Sequence, residues 1–416
     1  MSYRLFRRFF YELHLWLGIV SGIILFAVCL SGMILVFQEE VRHFAEPAKY
    51  YVDASKESTP LSADELIVKV EAAKPAMKVT AITIPERPNR TVMMNLVLSE
   101  QSEERGGIGY HGRGRWSMVY ADPYTGDIVG EGANIVDPFF MSMMQLHRFL
   151  WMPEEWRWIG KMIVGIATII FVVVCLSGMI LWLPKTWKAF AKWRAWKSGF
   201  LIRFRKGVWP LVYDLHNTVG FYLLIPSLIL ALTGLCWSFA WYRDAASYVL
   251  GNRIFQQRMQ QSEKIEPIES SETPFSIGEM ITRQNQLTPG PGEISVSIPQ
   301  DNETAMVIRK GRTGFFSLSI KDKTQWNRYR GTVVPVDHYG KTVEVERFAD
   351  KPLGARIAVS IRAIHTGDIT GMSSKIFFFI VCLFVTSFPI TGVTLWIKKL
   401  ILRNHSVSRE TVVMTE

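Results

Sequence analysis

Four long apolar runs constrain this chain more than any other feature of its sequence. Each run lacks Asp, Glu, Lys and Arg, and each reaches the roughly 20 residues that a helix needs to cross a hydrocarbon core of about 30 Å. The runs are Leu15–Phe37, Met162–Leu183, Leu215–Tyr242 and Ile376–Ile397. The sequence therefore predicts four transmembrane helices. We expect the first to stay as an anchor, because no small-residue cleavage site follows it.

The basic residues lie beside the apolar runs, which argues against a nucleic-acid partner. The net charge is +10, and residues 184–213 contain eight basic residues and no acidic one. Residues 38–158 carry 13 basic and 18 acidic residues, and residues 243–372 carry 17 and 15. Lysine and arginine favour the cytoplasmic side of a bilayer. The sequence predicts an inner-membrane protein with both termini and the 184–213 loop cytoplasmic, and with the two long segments periplasmic.

Each long segment reads as a small α+β domain, because an amphipathic helix is followed by strand-like alternation. The helices are Leu61–Lys74 and Phe275–Gln284, and the strands are Lys78–Pro85, Arg90–Ser99, Trp116–Tyr120, Glu293–Ile298, Ala305–Arg309 and Phe315–Ile320. The predicted fold class is an α-helical membrane protein with two periplasmic α+β domains. Its parts are 1–37 (first helix), 38–158 (first domain), 159–183 (second helix), 184–213 (loop), 214–242 (third helix), 243–372 (second domain), 373–397 (fourth helix) and 398–416 (tail).

An internal repeat relates the two halves of the sequence. His14, Gly18 and Gly32 have the same spacing as His216, Gly220 and Gly234, and His147, Gly178 and Trp182 resemble His365, Gly392 and Trp396 with looser spacing. A repeat of two helices around one soluble domain keeps its orientation, so equivalent residues should lie at equal depth in the membrane. We interpret the glycines as sites of close helix packing.

The repeat gives four histidines a partner. Haem iron that transfers electrons takes two axial imidazoles from opposite sides. We therefore expect one haem b between His14 and His216 near the cytoplasmic face, and a second between His147 and His365 near the outer face. Arg148 is a candidate partner for a haem propionate. The alternatives are histidines that only cap helices or lie at the interface, an arginine that snorkels, and an absent outer haem.

No repeat or spacing pairs the remaining histidines, and we assign them no site. They are His43, His111, His338 and His405.

These motifs resemble the bacterial PepSY-associated transmembrane helix proteins, whose iron-regulated members include periplasmic ferrisiderophore reductases. The resemblance covers nearly the whole chain and implies four helices, two PepSY domains and haem b. It is carried by the HLWLG sequence at His14, by Leu146–Arg148, by the His216 segment, by His365-Thr-Gly-Asp368 and by the turn Asp122–Gly126. The second PepSY turn, Asp337–Gly340, is one residue shorter than the first.

The sequence and the resemblance lead to one functional expectation and two alternatives. We expect an oxidoreductase that passes electrons to a periplasmic ferric chelate, such as a ferrisiderophore. No nucleotide-binding signature is evident, so the donor should be a separate reductase, a reduced flavin or a quinol. The alternatives are a general haem conduit to another periplasmic acceptor, and a non-redox PepSY module that binds or inhibits a peptidase. Basic residues available for an anionic chelate are Arg105, Arg113, Arg115, Arg328 and Arg330.

Overall fold

The computed structural model describes residues 3–54, 59–98, 116–255, 276–290, 292–298, 306–311, 321–326 and 348–413. The chain forms two compact units, which we call the helical unit and the sheet unit. The helical unit comprises Met1–Gln38, Phe139–Ser247 and Ile364–Glu416, and the sheet unit comprises Glu39–Pro138 and Tyr248–Ala363. Each unit therefore combines residues from both halves of the sequence.

The elements follow one another in this order. The helices are α1 (Tyr3–Leu35), α2 (Gln38–Ala45), α3 (Pro47–Tyr50), α4 (Ala63–Ala73), α5 (Asp137–Phe149), α6 (Arg157–Trp182), α7 (Trp187–Phe190), α8 (Trp193–Phe200), α9 (Val208–Tyr222), α10 (Leu224–Ser238), α11 (Ala240–Leu250), α12 (Ile277–Leu287), α13 (Leu353–Thr366) and α14 (Met372–Val413). The strands are β1 (Met77–Ile84), β2 (Val92–Leu98), β3 (Trp116–Ala121), β4 (Ile128–Glu131), β5 (Ile294–Ser297), β6 (Met306–Gly311) and β7 (Lys321–Trp326). Short 3-10 turns occur at Glu154–Trp156, Phe348–Asp350 and Asp368–Thr370.

Long apolar helices build the helical unit. Among the described residues, three helical segments are long and apolar enough to cross a membrane, namely Tyr3–Leu35, Asp137–Trp182 and Met372–Leu402. The bent pair of α9 and α10 supplies a fourth span if the two helices are counted together. These segments overlap the four apolar runs of the sequence over most of their length. The chain is a membrane protein.

Polar side chains in the long helices bond to the backbone of their own helix. The Ser21 hydroxyl donates to the Leu17 carbonyl at 2.7 Å, and the Thr168 hydroxyl donates to the Val164 carbonyl at 2.7 Å. Such bonds satisfy a hydroxyl where no water is available. These residues therefore fit an apolar helix without a partner from another element.

The third apolar run is not one straight helix. α9 and α10 meet at Leu223 with a bend of 64°. Pro226 lies in the first turn of α10 and has no N–H to donate to the Tyr222 carbonyl, and its ring also crowds the preceding turn. The sequence predicts one continuous span here, whereas the structure interrupts it at the turn before the proline.

The sheet unit contains one antiparallel sheet with the strand order β4-β3-β2-β1-β5-β6-β7. β1 pairs with β5 through Ala81 opposite Ser297 and Ile84 opposite Ile294. Strands β1–β4 come from the first long segment and strands β5–β7 come from the second. The sequence analysis treats these segments as two separate α+β domains, but their strands share this sheet.

One face of the sheet packs against α4 and α12. Val92, Met94 and Leu96 alternate along β2, and each is at most 1% exposed. This period of two is expected of a strand with one buried face. The hydrophobic core also includes Leu66 and Val70 from α4, Ile82 from β1, Ile277 and Met280 from α12, Val296 from β5 and Ile308 from β6.

The two helices over the sheet begin in the same way. Ser62 and Glu65 form a capping box at α4, and Ser276 and Glu279 form one at α12. In this motif the serine oxygen accepts from the third helical N–H, and the glutamate accepts from the serine N–H. The Asp64 carboxylate also accepts from the N–H groups of Ile277 and Gly278, at 2.9 and 2.7 Å. The first turns of α4 and α12 are therefore joined directly.

The secondary structure within the described residues largely follows the sequence pattern. The predicted elements of the first segment appear as α4 and β1–β3, and those of the second appear as α12, β5 and β6. The turn Asp122–Gly126 forms with an N–H to carbonyl bond of 2.9 Å and with φ of +78° at Gly126, a conformation that favours glycine. The predicted strand Phe315–Ile320 and the turn Asp337–Gly340 lie outside the described residues. The helices that the sequence did not predict include α5 and α13.

Candidate functional site

The structure brings His14 and His216 together inside the helical unit. His14 lies on α1 and His216 on α9, and their ring centroids are 6.1 Å apart with the rings perpendicular. Both side chains are half-buried. We call these two residues the first histidine pair. Two imidazoles from different helices therefore face a common space.

His147 and His365 form the second histidine pair. Their ring centroids lie 6.2 Å apart with 56° between the ring planes. His147 lies near the end of α5 and His365 near the end of α13. Both histidines belong to the helical unit, and the sequence analysis predicted no helix at either position.

The separation within each pair fits one iron between two imidazoles. A metal lies about 2.0–2.1 Å from a ligating histidine nitrogen, and that nitrogen lies about 1 Å from the ring centre. Two opposed rings with iron between them therefore have centroids about 6 Å apart, close to the observed 6.1 and 6.2 Å. Among the described residues there is no cluster of three or more His, Cys, Asp or Glu side chains that would hold a bare ion. Two protein ligands are what a haem iron needs.

Each paired histidine packs against a glycine of a neighbouring helix, which we call its glycine seat. A Cβ atom on the glycine would lie within 3.0–3.2 Å of Cε1 of the histidine, closer than ordinary contact. The seats are Gly178 for His14, Gly392 for His216, Gly32 for His147 and Gly234 for His365. The sequence analysis singled out these glycines by their spacing and assigned them to helix packing. Their contact with the histidines was missed.

Two further glycines leave space beside the first histidine pair. Gly18 follows His14 by one helical turn, and a Cβ atom there would meet nothing within 4 Å. Gly220 follows His216 by one turn, and a Cβ atom there would approach only Phe388, at 3.9 Å. Residues four apart lie on the same face of a helix. The unfilled space at both glycines therefore lies on the same helix faces as the two imidazoles.

The Nδ1 atoms of two histidines point to backbone carbonyls. Nδ1 of His14 lies 3.0 Å from the Val174 carbonyl oxygen, and Nδ1 of His147 lies 2.8 Å from the Val28 carbonyl oxygen. A carbonyl can only accept, so Nδ1 carries the proton in both rings. The lone pair of each neutral ring is then on Nε2, the atom available to a metal.

Aromatic side chains lie beside His216 and His365. The Trp237 ring lies 5.1 Å from the His365 ring, and the Phe388 ring lies 5.7 Å from the His216 ring. Trp182 stacks on Phe221 at 3.9 Å, with its N–H donating to the Gly199 carbonyl. Trp237 therefore forms part of the histidine environment.

Arg148 follows His147 on α5. Its guanidinium carbon lies 5.0 Å from the ring centre of Phe149. Its contact with a haem propionate stays a prediction, as do the ligand roles of the four histidines.

The structure adds none of the other histidines, and none of the arginines considered for a chelate, to the two histidine pairs. His43 lies in the sheet unit, where Arg90 approaches its ring at 3.1 Å. The described residues do not include His111, His338 or the side chain of His405, and they do not include the five arginines considered for an anionic chelate.

Two arginines fix the helix ends near the first histidine pair. Arg7 donates to the carbonyls of Ile180, Leu181 and Leu183 at 3.1, 2.6 and 2.7 Å, and so caps the C-terminus of α6. Arg203 donates to both oxygens of Asp214 at 2.8 and 2.6 Å, and these hydrogen bonds raise the pKa of the guanidinium.

Comparison with known proteins identifies the family. No curated protein matches the sequence. The family described as the PepSY-associated TM region matches residues 11–399. This range contains all four paired histidines and their glycine seats. Because the match covers most of the chain, the protein belongs to the PepSY-associated TM region family.

Proposed function

We propose that the protein is a haem-containing inner-membrane oxidoreductase that passes electrons from the cytoplasmic side to a periplasmic ferric chelate. The observation that carries this proposal is the presence of two histidine pairs with ring separations of 6.1 and 6.2 Å. Both separations suit bis-histidine haem, and haem b supplies one-electron oxidation and reduction of its iron.

The two pairs are spaced along the helical unit. His14 belongs to the first pair, and Gly32, on the same helix, is the seat of His147 in the second pair. Eighteen residues separate His14 from Gly32, which is roughly 27 Å along a helix axis. This length is close to the roughly 30 Å thickness of a hydrocarbon core. One pair near each face of the membrane is the arrangement that transmembrane electron transfer requires.

The chain's own residues prepare each pair for low-spin haem iron. The histidines would supply one ligand from each side, and the glycine seats allow the helices to approach while the rings remain between them. Gly18 and Gly220 leave space beside the first pair. The separation of His147 and His365 supports the same ligand role for that pair, and Arg148, the next residue after His147, would contact a propionate.

The orientation that we propose follows the charge distribution. The eight basic residues of 184–213 and both termini would be cytoplasmic. The sheet unit would then be periplasmic, with the first histidine pair near the cytoplasmic face. The electron donor is a separate reductase, a reduced flavin or a quinol.

A ferric chelate, such as a ferrisiderophore, is the acceptor that the family resemblance favours. One electron converts ferric iron to ferrous iron, which binds hard-oxygen chelators more weakly and is released. Two histidine ligands would fill the axial positions of the haem iron, so the acceptor needs only to approach it closely. This arrangement favours outer-sphere electron transfer over binding of oxygen.

The test uses the full chain in nanodiscs. A pyridine haemochrome assay should give two haems per chain. After reduction with dithionite, oxidation of the haem band in a stopped-flow instrument should be fast with ferrisiderophores and slow with their gallium analogues, which bind similarly but cannot be reduced.

Other outcomes would separate the alternatives. Equal rates with the ferric and gallium complexes would exclude ferric reduction and leave a general haem conduit. Protein that takes up no haem when supplied with it would contradict the redox proposal and favour a PepSY module without a cofactor.

A further inference from the structure

We propose that Ser31, Ser177, Thr233 and Thr391 are positioning residues for the axial histidines, each holding Nδ1 of one ring so that Nε2 faces the iron. This inference rests on the proposed function, because it takes the histidines as haem ligands.

The four hydroxyl residues occupy the same place relative to the glycine seats. Each immediately precedes a seat in the sequence, as Ser31-Gly32, Ser177-Gly178, Thr233-Gly234 and Thr391-Gly392. The hydroxyl oxygens lie 3.4 Å from Nδ1 of His147, 3.1 Å from that of His14, 3.0 Å from that of His365 and 2.9 Å from that of His216, in the same order. Each dipeptide thus gives one histidine both space at Cε1 and a polar contact at Nδ1.

The hydroxyls also contact carbonyls of their own helices, and this contact sets the direction of the hydrogen bond. Thr391 Oγ1 donates to the Ser387 carbonyl at 3.1 Å, and Thr233 Oγ1 donates to the Ile229 carbonyl at 2.7 Å. A hydroxyl has a single hydrogen to donate. Once this hydrogen is given to the carbonyl, the oxygen can only accept, and Nδ1 must be the protonated nitrogen. The lone pair of the ring is then on Nε2.

The serines and the threonines are placed in the same way, each beside a carbonyl of its own helix. Nδ1 of His14 contacts the Val174 carbonyl directly as well as Ser177, and Ser177 Oγ donates to the same carbonyl at 2.9 Å. The Phe388 carbonyl likewise accepts a hydrogen bond from His216 and, at 3.2 Å, one from the Thr391 hydroxyl. Each hydroxyl is therefore a second acceptor for a ring that also contacts a helix carbonyl.

The second histidine pair has the same contacts. The Val28 carbonyl lies 2.8 Å from Nδ1 of His147 and accepts from the Ser31 hydroxyl at 3.0 Å. The Leu230 carbonyl accepts a hydrogen bond from His365 and, at 3.1 Å, one from the Thr233 hydroxyl. An acceptor at Nδ1–H increases the basicity of the ligating nitrogen and fixes the ring orientation. Stronger electron donation stabilises ferric iron, so removal of the acceptor should raise the reduction potential.

The decisive variant is Thr391→Val, which removes the hydroxyl and keeps the shape of the side chain. We expect haem retention at the first pair to fall about tenfold or more, in line with other residues that support a metal ligand. The remaining haem at that pair should have a higher midpoint potential and altered electron paramagnetic resonance g-values. Thr391→Ser, which keeps the hydroxyl, should restore both. Ser177→Ala should cause a change in the same direction.

Thr394→Val is the matched control. Thr394 is on the same helix, and its hydroxyl donates to the Ile390 carbonyl at 2.7 Å. Its loss should leave haem retention, potential and g-values unchanged. The inference is overturned if Thr391→Val behaves like Thr394→Val, or if Thr391→Ser fails to restore what Thr391→Val loses. Both results presuppose a wild-type protein that binds haem, whereas a wild type without haem would contradict the proposed function itself.

Discussion

The helical unit and the sheet unit both draw on the two halves of the sequence, but they depend on residue identity to different degrees. In the helical unit, each of the four histidine sites has a glycine preceded by a serine or threonine. In the sheet unit, Val70 and Gln284 follow the capping serines of α4 and α12 by the same number of residues, and both are completely buried. An apolar side chain and an amide thus occupy matched places.

The two units differ in which side chains their buried positions tolerate. Gln284 is accommodated because its side chain donates to the Thr288 hydroxyl at 3.1 Å, which offsets the cost of burying an amide. A buried position in the sheet unit can therefore hold either an apolar or a polar side chain, provided that the polar side chain has hydrogen-bond partners. The histidine sites depend on glycine, because a Cβ atom at any of the four seats would lie only 3.0–3.2 Å from Cε1 of a ring.

The largest effect should come from removing a ligand in the helical unit. His216→Ala should reduce the haem content from two per chain to one, because only the first pair loses an imidazole. The pyridine haemochrome assay measures this number. His43→Ala, in the sheet unit, is the control and should retain two haems. Equal loss in both variants would show that histidine identity in the helical unit carries no special role.

A single added methyl group should have the next largest effect. Gly178→Ala places a Cβ atom 3.1 Å from Cε1 of His14, so the ring must move by a few tenths of an ångström. We expect weaker haem retention and a changed g-value pattern at the first pair. Val20→Ile adds a methyl group on α1 where the side chain is 70% exposed, and should leave both unchanged. A spectrum identical to wild type in Gly178→Ala would show that the seat tolerates a side chain.

Removing a methyl group from the sheet core should cost less. Ile82→Val leaves a small cavity at a completely buried position, which typically lowers the free energy of unfolding by about 0.5–1.5 kcal/mol. Faster hydrogen exchange of the β1 and β2 amides in the full chain would report this loss. The haem content should stay at two. Val68→Ala on α4, where the side chain is 67% exposed, serves as the control. A change in haem spectrum with Ile82→Val would remove the contrast between the units.

The smallest effect should be a pH dependence at the start of α4. Hydrogen bonds from Ser62 lower the pKa of Glu65 below its ordinary value of 4.5. A carboxylate whose pKa is lower in the folded state stabilises the fold above its unfolded pKa, and this contribution is lost as the pH falls through the folded pKa. Protection of the α4 amides against hydrogen exchange should therefore decline as the pH falls from about 5 towards 2, after correction for the intrinsic exchange rate.

Glu65→Gln should flatten that decline, because the glutamine does not titrate. Glu86→Gln, an exposed position in the same unit, should leave the decline as in wild type. The same pH profile in Glu65→Gln and wild type would show that the capping box contributes nothing to the pH dependence.

The sequence predicted the partners in each histidine pair because His14 and His216 share their spacing to two glycines. It did not predict α5 and α13, since the search followed uncharged runs and both helices contain charged residues. Asp137-Pro138 at the start of α5 was an available signal, because proline favours the first helical position.

The bend and the shared sheet were harder to foresee. Pro226 interrupts the third apolar run, yet Pro389 lies inside α14 without ending it, so a proline alone does not decide between a break and a continuous helix. The pairing of β1 with β5 depends on contacts between distant segments, which local alternation does not encode. The topology and the identity of the acceptor stay predictions.

The pairing of β1 with β5 has a consequence for how the protein must be made. A half-length chain would leave Ala81–Ile84 with unpaired backbone groups at a sheet edge, and such edges promote aggregation. Covalent linkage of the halves gives the two strands a high effective concentration for each other. Having both halves in one chain therefore completes the sheet and also lowers the risk that the newly made protein aggregates through the edge of β1 or β5.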